Sequence, residues 1–256
     1  MSRKTIVGAL SLLVLSVMGY QAFGQRFLNG IEWPEPKVVT PGKEDRDPPS
    51  DAVVLFDGKS FDEWNGAEGW KADDDGGFTA KGVLQTKKEF GDCQLHVEFA
   101  SPKEVKNSGQ GRGNNGVGLI GARYEIQVLD SYQNKTYPEG QAASVYNQHP
   151  PMVNASRKPG EWQTYDIIFT APRFGTDDKI SKPGFVTVLH NGVVVQNHTE
   201  IIGLTFFDKA TEYVKHPEKG PIVLMYHRDP VRFRNIWVRE FKDLEGKPGK
   251  KGIEGR

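Results

Sequence analysis

Between Asp51 and Asp243 the apolar residues recur at every second position in short runs, and Gly, Asn, Asp and Pro separate the runs. Period two is the spacing of a strand with one buried face, because successive side chains leave a strand on opposite sides. In "DCQLHVEFA", Cys93, Leu95, Val97 and Phe99 alternate with Gln94, His96 and Glu98. "FVTVLHNGVVVQN" reads as two strands joined by Asn191-Gly192, residues that accept the positive φ angles of a tight hairpin. "GPIVLMYH" and "VRFRNIWVREF" add two more strands, and simple alternation puts Val231, Phe233, Asn235 and Trp237 on one side of the second. No segment of helical length carries the 3.6-residue period, although "TFFDKATEYVKHPEKG" has room for one turn or two. There is no internal repeat. The expected fold is all-β, an antiparallel β-sandwich or jelly roll over residues 51–243.

The flanks read differently. Arg3 and Lys4 precede an apolar run from Ile6 to Met18, and Ala22-Phe23-Gly24 offers small residues to a signal peptidase. This predicts a signal peptide over residues 1–24, cleavage before Gln25, and a secreted or periplasmic protein. The run is shorter than the roughly 20 residues of a bilayer span, so no stable membrane span is expected after cleavage. No Cys follows it to carry a lipid. Cys93 is the only cysteine, which excludes an intrachain disulfide, and its mid-strand position reads as a buried small hydrophobe. Residues 25–50 hold Pro34, Pro36, Pro41, Pro48 and Pro49 among charged residues and read as a linker or extended arm. Residues 244–256, "LEGKPGKKGIEGR", form a polar tail whose last four letters match a protease site used in expression tags. Lys and Arg number 33 and Asp and Glu 33, so there is no basic excess to neutralise the phosphates of a nucleic acid.

Chemistry concentrates in "YEIQVLDS". On a strand Glu125, Gln127 and Leu129 face one way, and Tyr124, Ile126, Val128 and Asp130 the other. Asp130 joins the first pair only if a bulge or the strand end turns it over. The Gly- and Asn-rich "NSGQGRGNNGVGL" just before this strand can bring backbone close to a ligand, or is simply flexible. It lacks the Gly-Lys-Ser/Thr ending of a phosphate loop. "ASVYNQHPP" clusters Tyr146, Asn147, Gln148 and His149, groups that suit sugar hydroxyls and ordinary turns alike. His227 closes an apolar strand. No Gly-x-Ser-x-Gly elbow or His-Glu-x-x-His helix is present, and Trp64, Trp70 and Trp162 read better as core than as sugar platforms.

"LFDGKSFDEW", "LHVEF", "NNGVGL", "YEIQVLDS", "PGEWQTYDI", "HNGVVV" and "VRFRNIWV" follow one another in a familiar order. Over roughly residues 52 to 242 the chain resembles a large secreted bacterial family, the 3-keto-disaccharide hydrolases or 3-keto-glucoside lyase/hydratases. The resemblance implies a concanavalin- or laminarinase-like jelly roll whose strand carboxylates act on an oxidised mono- or disaccharide. It carries roles onto Glu98, Glu125, Gln127, Asp130, His227, Arg234 and Asn235. With a ketone at C3, the C2 proton is acidic; a base removes it, the C1 group leaves, and water adds back. Glu125 is the expected base, with Glu98 next. His227 or Arg234 stabilises the enolate oxygen, directly or through a divalent metal held by Glu125 and His227. Asn115 and Gln127 orient hydroxyls, and Asp130 and Tyr146 also touch substrate. Two other functions fit the same fold: a non-catalytic carbohydrate-binding module, or a conventional β-glucanase with Glu98 and Glu125 as its carboxyl pair.

Overall fold

The computed structural model describes residues 30–249. The expected signal peptide with its cleavage point, and the IEGR end, lie outside the described residues. Ile31–Glu32 (β1) pairs antiparallel with Lys247–Pro248 (β16). Residues 39–242 form a compact unit of their own. Its strands are Val53–Phe56 (β2), Trp64–Asn65 (β3), Phe78–Thr79 (β4), Leu84–Phe90 (β5), Cys93–Ala100 (β6), Asn115–Leu119 (β7) and Tyr124–Val128 (β8). Gln163–Thr170 (β9), Arg173–Phe174 (β10), Ile180–Lys182 (β11), Gly184–His190 (β12), Val193–Ile201 (β13), Gly220–Leu224 (β14) and Arg232–Glu240 (β15) follow. The segment with room for a helical turn, 205–220, contains none.

The all-β expectation holds. One sheet runs β13-β12-β9-β6-β15-β2 with β4 beside β15, and the other runs β3-β5-β14-β7-β8. Every pairing is antiparallel. Alternation decides what fills the space between them. Cys93, Leu95, Val97 and Phe99 of β6 turn into the core, as do Val117 and Leu119 of β7 and Tyr124, Ile126 and Val128 of β8. Each such side chain, fully buried, contributes about 1.5–3 kcal/mol of transfer free energy. Burial pushes the Cys93 thiol up to about 12, so it is chemically inert. Asn191 and Gly192 take φ of 54° and 78° and close the β12–β13 hairpin as expected.

The last strand departs from simple alternation. Val231 and Phe233 are buried in the core, but the next core residues are Ile236 and Val238. The register slips between Arg234 and Trp237, where Asn235 takes a φ of 44°. This is a β-bulge at a residue type that tolerates the left-handed region, and it reverses the parity of everything after it. Arg234, Asn235 and Trp237 therefore share the face of Glu98 and His96, away from the core. Trp237 stacks on His96 at 5.2 Å. Residues 39–50, within the stretch read as a linker, take part in this unit: the Arg46 carbonyl accepts from Asn235 Nδ2 at 3.0 Å and Trp237 Nε1 at 2.9 Å.

Candidate functional site

On β8, Tyr124, Ile126 and Val128 occupy the core, so Glu125 and Gln127 are carried on the outer face of the five-stranded sheet. Across from them β7 reads Asn115-Gly116-Val117-Gly118-Leu119, and its outward positions are the two glycines. Gly118 pairs with Glu125 and Gly116 with Gln127. A Cβ on Gly116 would lie 2.4 Å from Glu125 Oε1 and 2.9 Å from Met225 Sδ, so the carboxylate occupies space that any other residue would fill. Beyond Gly118 the chain turns back, and Ala122 covers that position, 2.7 Å from where a Cβ would stand. The result is a trench along β7, floored by backbone.

This trench is a cavity of about 420 Å³ whose lining includes Asn114, Ala122, Glu125, Gln127, Tyr146, Thr205, Phe207 and His227. The Glu125 backbone is pinned on both sides: its N–H donates to the Thr205 hydroxyl at 3.0 Å, and its carbonyl accepts from the Tyr146 N–H at 3.0 Å. His227 Nε2 stands 3.9 Å from Glu125 Oε1, with the His227 side chain 43% exposed and that of Glu125 only 5%. The contact with Glu125 raises the imidazole above its ordinary range, and burial only partly offsets it. Glu125 therefore keeps His227 protonated to a higher pH than a free imidazole would be. The Gln127 amide end lies between two partners. In one orientation it donates to Gln110 Oε1 at 2.9 Å; turned over, it donates to Glu125 Oε1 at 3.2 Å and to the Asn115 carbonyl at 2.8 Å. Tyr146 shares a 2.6 Å hydroxyl contact with Tyr137, whose phenol is pushed up by burial and then by that bond.

The structure gathers Glu125, Gln127, Tyr146 and His227 from the expected set. It places the others elsewhere. Asn115 has the parity of Val117 and Leu119 and turns toward the core, while its neighbour Asn114 lines the trench. Asp130, past the strand end, is not turned to Glu125: Arg112 Nε and Nη2 donate to its Oδ2, at 2.9 and 2.5 Å. Glu98 and Arg234 sit on the outer face of the other sheet. Arg234 Nε donates to Glu98 Oε2 at 2.6 Å, and Asn235 Nδ2 donates to Oε1 at 2.9 Å. Burial raises the Glu98 carboxyl, but His96, Asn235 and Arg234 together hold it down at about 2. Glu98 and Glu125 thus belong to different sheets and do not flank a common bond, and Arg234 is spent on Glu98.

Sequence reasoning missed Asn114, Thr205 and Phe207. The alternate glycines of "NGVGL" carried a usable signal, since two small residues on one face of a strand mark a close approach. Thr205 and Phe207 come from a loop distant in sequence, and no local pattern announces them. As for a held metal, Glu125 and His227 supply two donors, and among the described residues no three His, Cys, Asp or Glu side chains gather. Two fall short of the three protein ligands a catalytic zinc takes. The two side chains do not by themselves complete a zinc site.

Comparison with known proteins agrees with this architecture. A family model described as a 3-keto-alpha-glucoside-1,2-lyase-like domain matches residues 51–239. A crystal structure from Parabacteroides distasonis, provisionally assigned as a glycosyl hydrolase, is 46% identical with a TM-score of 0.77, covering 81% of this chain and 93% of that one. Another from the same organism, with the same provisional assignment, shares the fold at 23% identity and a TM-score of 0.53, covering 74% and 99%. No curated protein matches the sequence. The matched family model spans most of the chain and includes every residue of the trench, so the protein belongs to the 3-keto-alpha-glucoside-1,2-lyase-like domain family.

Proposed function

We propose that this protein is a secreted or periplasmic carbohydrate-active enzyme that cleaves 3-keto-glycosides, with Glu125 as the base. The observation that carries the reading is one buried carboxylate, Glu125, standing 3.9 Å from one imidazole, His227, in a trench that holds no second buried carboxylate among the described residues. A ketone at C3 makes the C2 proton acidic, so a single base and a positive group for the enolate oxygen meet the demands of the reaction. Glu125 takes the C2 proton, and the electron pair of that C–H bond moves toward the C3 oxygen. His227 donates a hydrogen bond to that oxygen as charge develops. The enolate then collapses to a C1–C2 double bond and expels the C1 oxygen, which takes up a proton. Water adding at C1, with a proton returned to C2, gives the free 3-keto sugar and completes a net hydrolysis. Gln127, donating to Glu125, holds the carboxylate toward the ring. Tyr146 faces the same space and is placed to hold a hydroxyl.

Incubation with 3-keto-trehalose beside trehalose, with and without chelator, tests this directly. Selective turnover of the keto sugar is expected, with deuterium entering C2 from solvent. Glu125→Gln should lower kcat by at least about 100-fold and slow the exchange alike. Equal rates on the two sugars would replace elimination with ordinary hydrolysis, Asp208 at the rim of the same trench being the partner carboxyl to examine. Binding without turnover on every keto sugar would make the domain a binding module. A chelator that abolished turnover would move enolate stabilisation from His227 to a metal.

A further inference from the structure

A second cavity, of about 410 Å³, adjoins the trench, and its lining includes Lys103, Glu104, Lys106, Arg112, Asp130, Arg228 and Asp229. Three segments of chain each run from one cavity into the other. Asn114 lines the trench while Arg112 and Gly113 line the neighbour; Gln127 lines the trench and Asp130 the neighbour; His227 lines the trench and Arg228 and Asp229 the neighbour. A hydrogen bond ties the two linings together, from the Asn114 N–H to Asp229 Oδ2 at 2.7 Å. At its other end the trench meets Ala122, folded over Gly118. On the 3-keto-glycoside reading, a ring seated against Glu125 and His227 has the second cavity, beyond Asn114, as a space for its one large substituent, the group at C1.

The charges there are unevenly used. Asp130 is taken by Arg112, and Asp229 by the Asn114 amide. Glu104 pairs with Lys106 at 3.3 Å, and both are exposed. Lys103 and Arg228 line the cavity with no carboxylate partner among the described residues. Arg228 directly follows His227 and takes a φ of 70°. A non-glycine residue in the left-handed region is strained, and here the turn coincides with the passage of the chain from one cavity to the other.

The geometry points to an anion-accepting subsite for the leaving group, in which Lys103 and Arg228 bind a carboxylate or sulfate carried on the aglycone or second sugar. The inference rests on the 3-keto-glycoside reading for what occupies the trench. An arginine presents two parallel donors to either anion, which makes Arg228 the orienting contact and Lys103 a point charge beside it.

The test uses phenyl 3-keto-glucosides bearing a para-carboxylate, a para-sulfonate or a neutral para-carboxamide, with wild-type protein, Arg228→Gln, Lys103→Gln and the double variant. Lys103 and Arg228 are exposed, and exposed ion pairs contribute up to about fivefold each, so kcat/KM should favour the anionic aglycones over the carboxamide by about tenfold at low ionic strength. That preference should vanish in the double variant and in ~0.5 M salt, with the carboxamide substrate unaffected. A preference for only one of the two anions identifies which group the subsite takes. A preference that survives the double variant, or an equal loss on charged and neutral substrates, overturns the subsite. If no keto-glycoside is turned over, calorimetric binding of the same compounds decides. Arg228-dependent preference for the anions sustains the subsite although the reaction assignment fails, and equal affinities refute it.

Discussion

Replacing Gly116 with alanine should disable the site while leaving the sandwich folded. The backbone there is ordinary extended strand, so alanine meets no conformational barrier. Its methyl carbon would fall 2.4 Å from Glu125 Oε1, and ordinary contact begins at about 3.4 Å, so the oxygen must retreat by about 1 Å. Met225 Sδ, 2.9 Å from the same methyl, must give as well. Both atoms lie at the ends of flexible side chains, which puts the stability cost near the lower end of overpacking, about 1 kcal/mol. In a protein of this size that lowers Tm by about 2–4 °C. A displacement of about 1 Å at a reacting group costs about 100-fold in rate. The expected result is thus a near-native melt, binding of 3-keto-trehalose largely kept, and kcat and C2 deuterium exchange both down about 100-fold. Gly118→Ala is the contrast, because its methyl would lie 2.7 Å from the Ala122 Cα, and backbone yields less readily than a side-chain tip. Adding Glu125→Gln to Gly116→Ala should cost little beyond Glu125→Gln alone, since both act on one group. Wild-type exchange in Gly116→Ala would refute the claim that the position of the Glu125 oxygen limits proton removal.

His227 should give kcat/KM an alkaline limb. Glu125 raises its folded value above the ordinary 6.5, so activity should fall as pH rises past that raised value; His227→Gln should erase that limb. The Glu98 carboxyl, held at about 2 against 4.5 unfolded, contributes about 3 kcal/mol above pH 4.5 and loses it as pH falls toward 2. Urea titrations of wild type and Glu98→Gln should show a gap at pH 7 that narrows across that window. Asn235→Val should destabilise by about 2–4 kcal/mol, combining a β-branched residue at φ 44° with lost hydrogen bonds to Glu98 and Arg46, and Asn235→Gly should cost less. Keto-glycoside turnover should survive in both Asn235 variants, because that cluster lies on the other sheet.

Local alternation carried the fold and much of the candidate site. The parity of "YEIQV" places Glu125 and Gln127 together, and the Asn-Gly hairpin forms where those two residues demand it. The same rule failed in "VRFRNIWV", because a bulge is one residue of irregular backbone and leaves the apolar count of the strand unchanged. Asn114 and Asn115 look interchangeable as letters, and only the strand's start decides which side chain turns toward the trench. The separation of Glu98 from Glu125 has another origin. Both lie at polar positions of alternating strands, but their strands join different sheets, and pairing partners are a long-range property that no window of sequence contains.

The bare strand under the trench has a consequence for how such a protein can diversify. β7 is hydrogen-bonded on both sides, to β14 and to β8, so the floor beneath the sugar cannot shift without breaking two ladders. The opposite bank is loop, from Thr205 to Asp208, with Phe207 80% exposed at its edge. Change is therefore cheap on one bank and expensive on the floor. Descendants of such a chain would keep one reaction and exchange the sugars it accepts, their glycines constant and their loops redrawn.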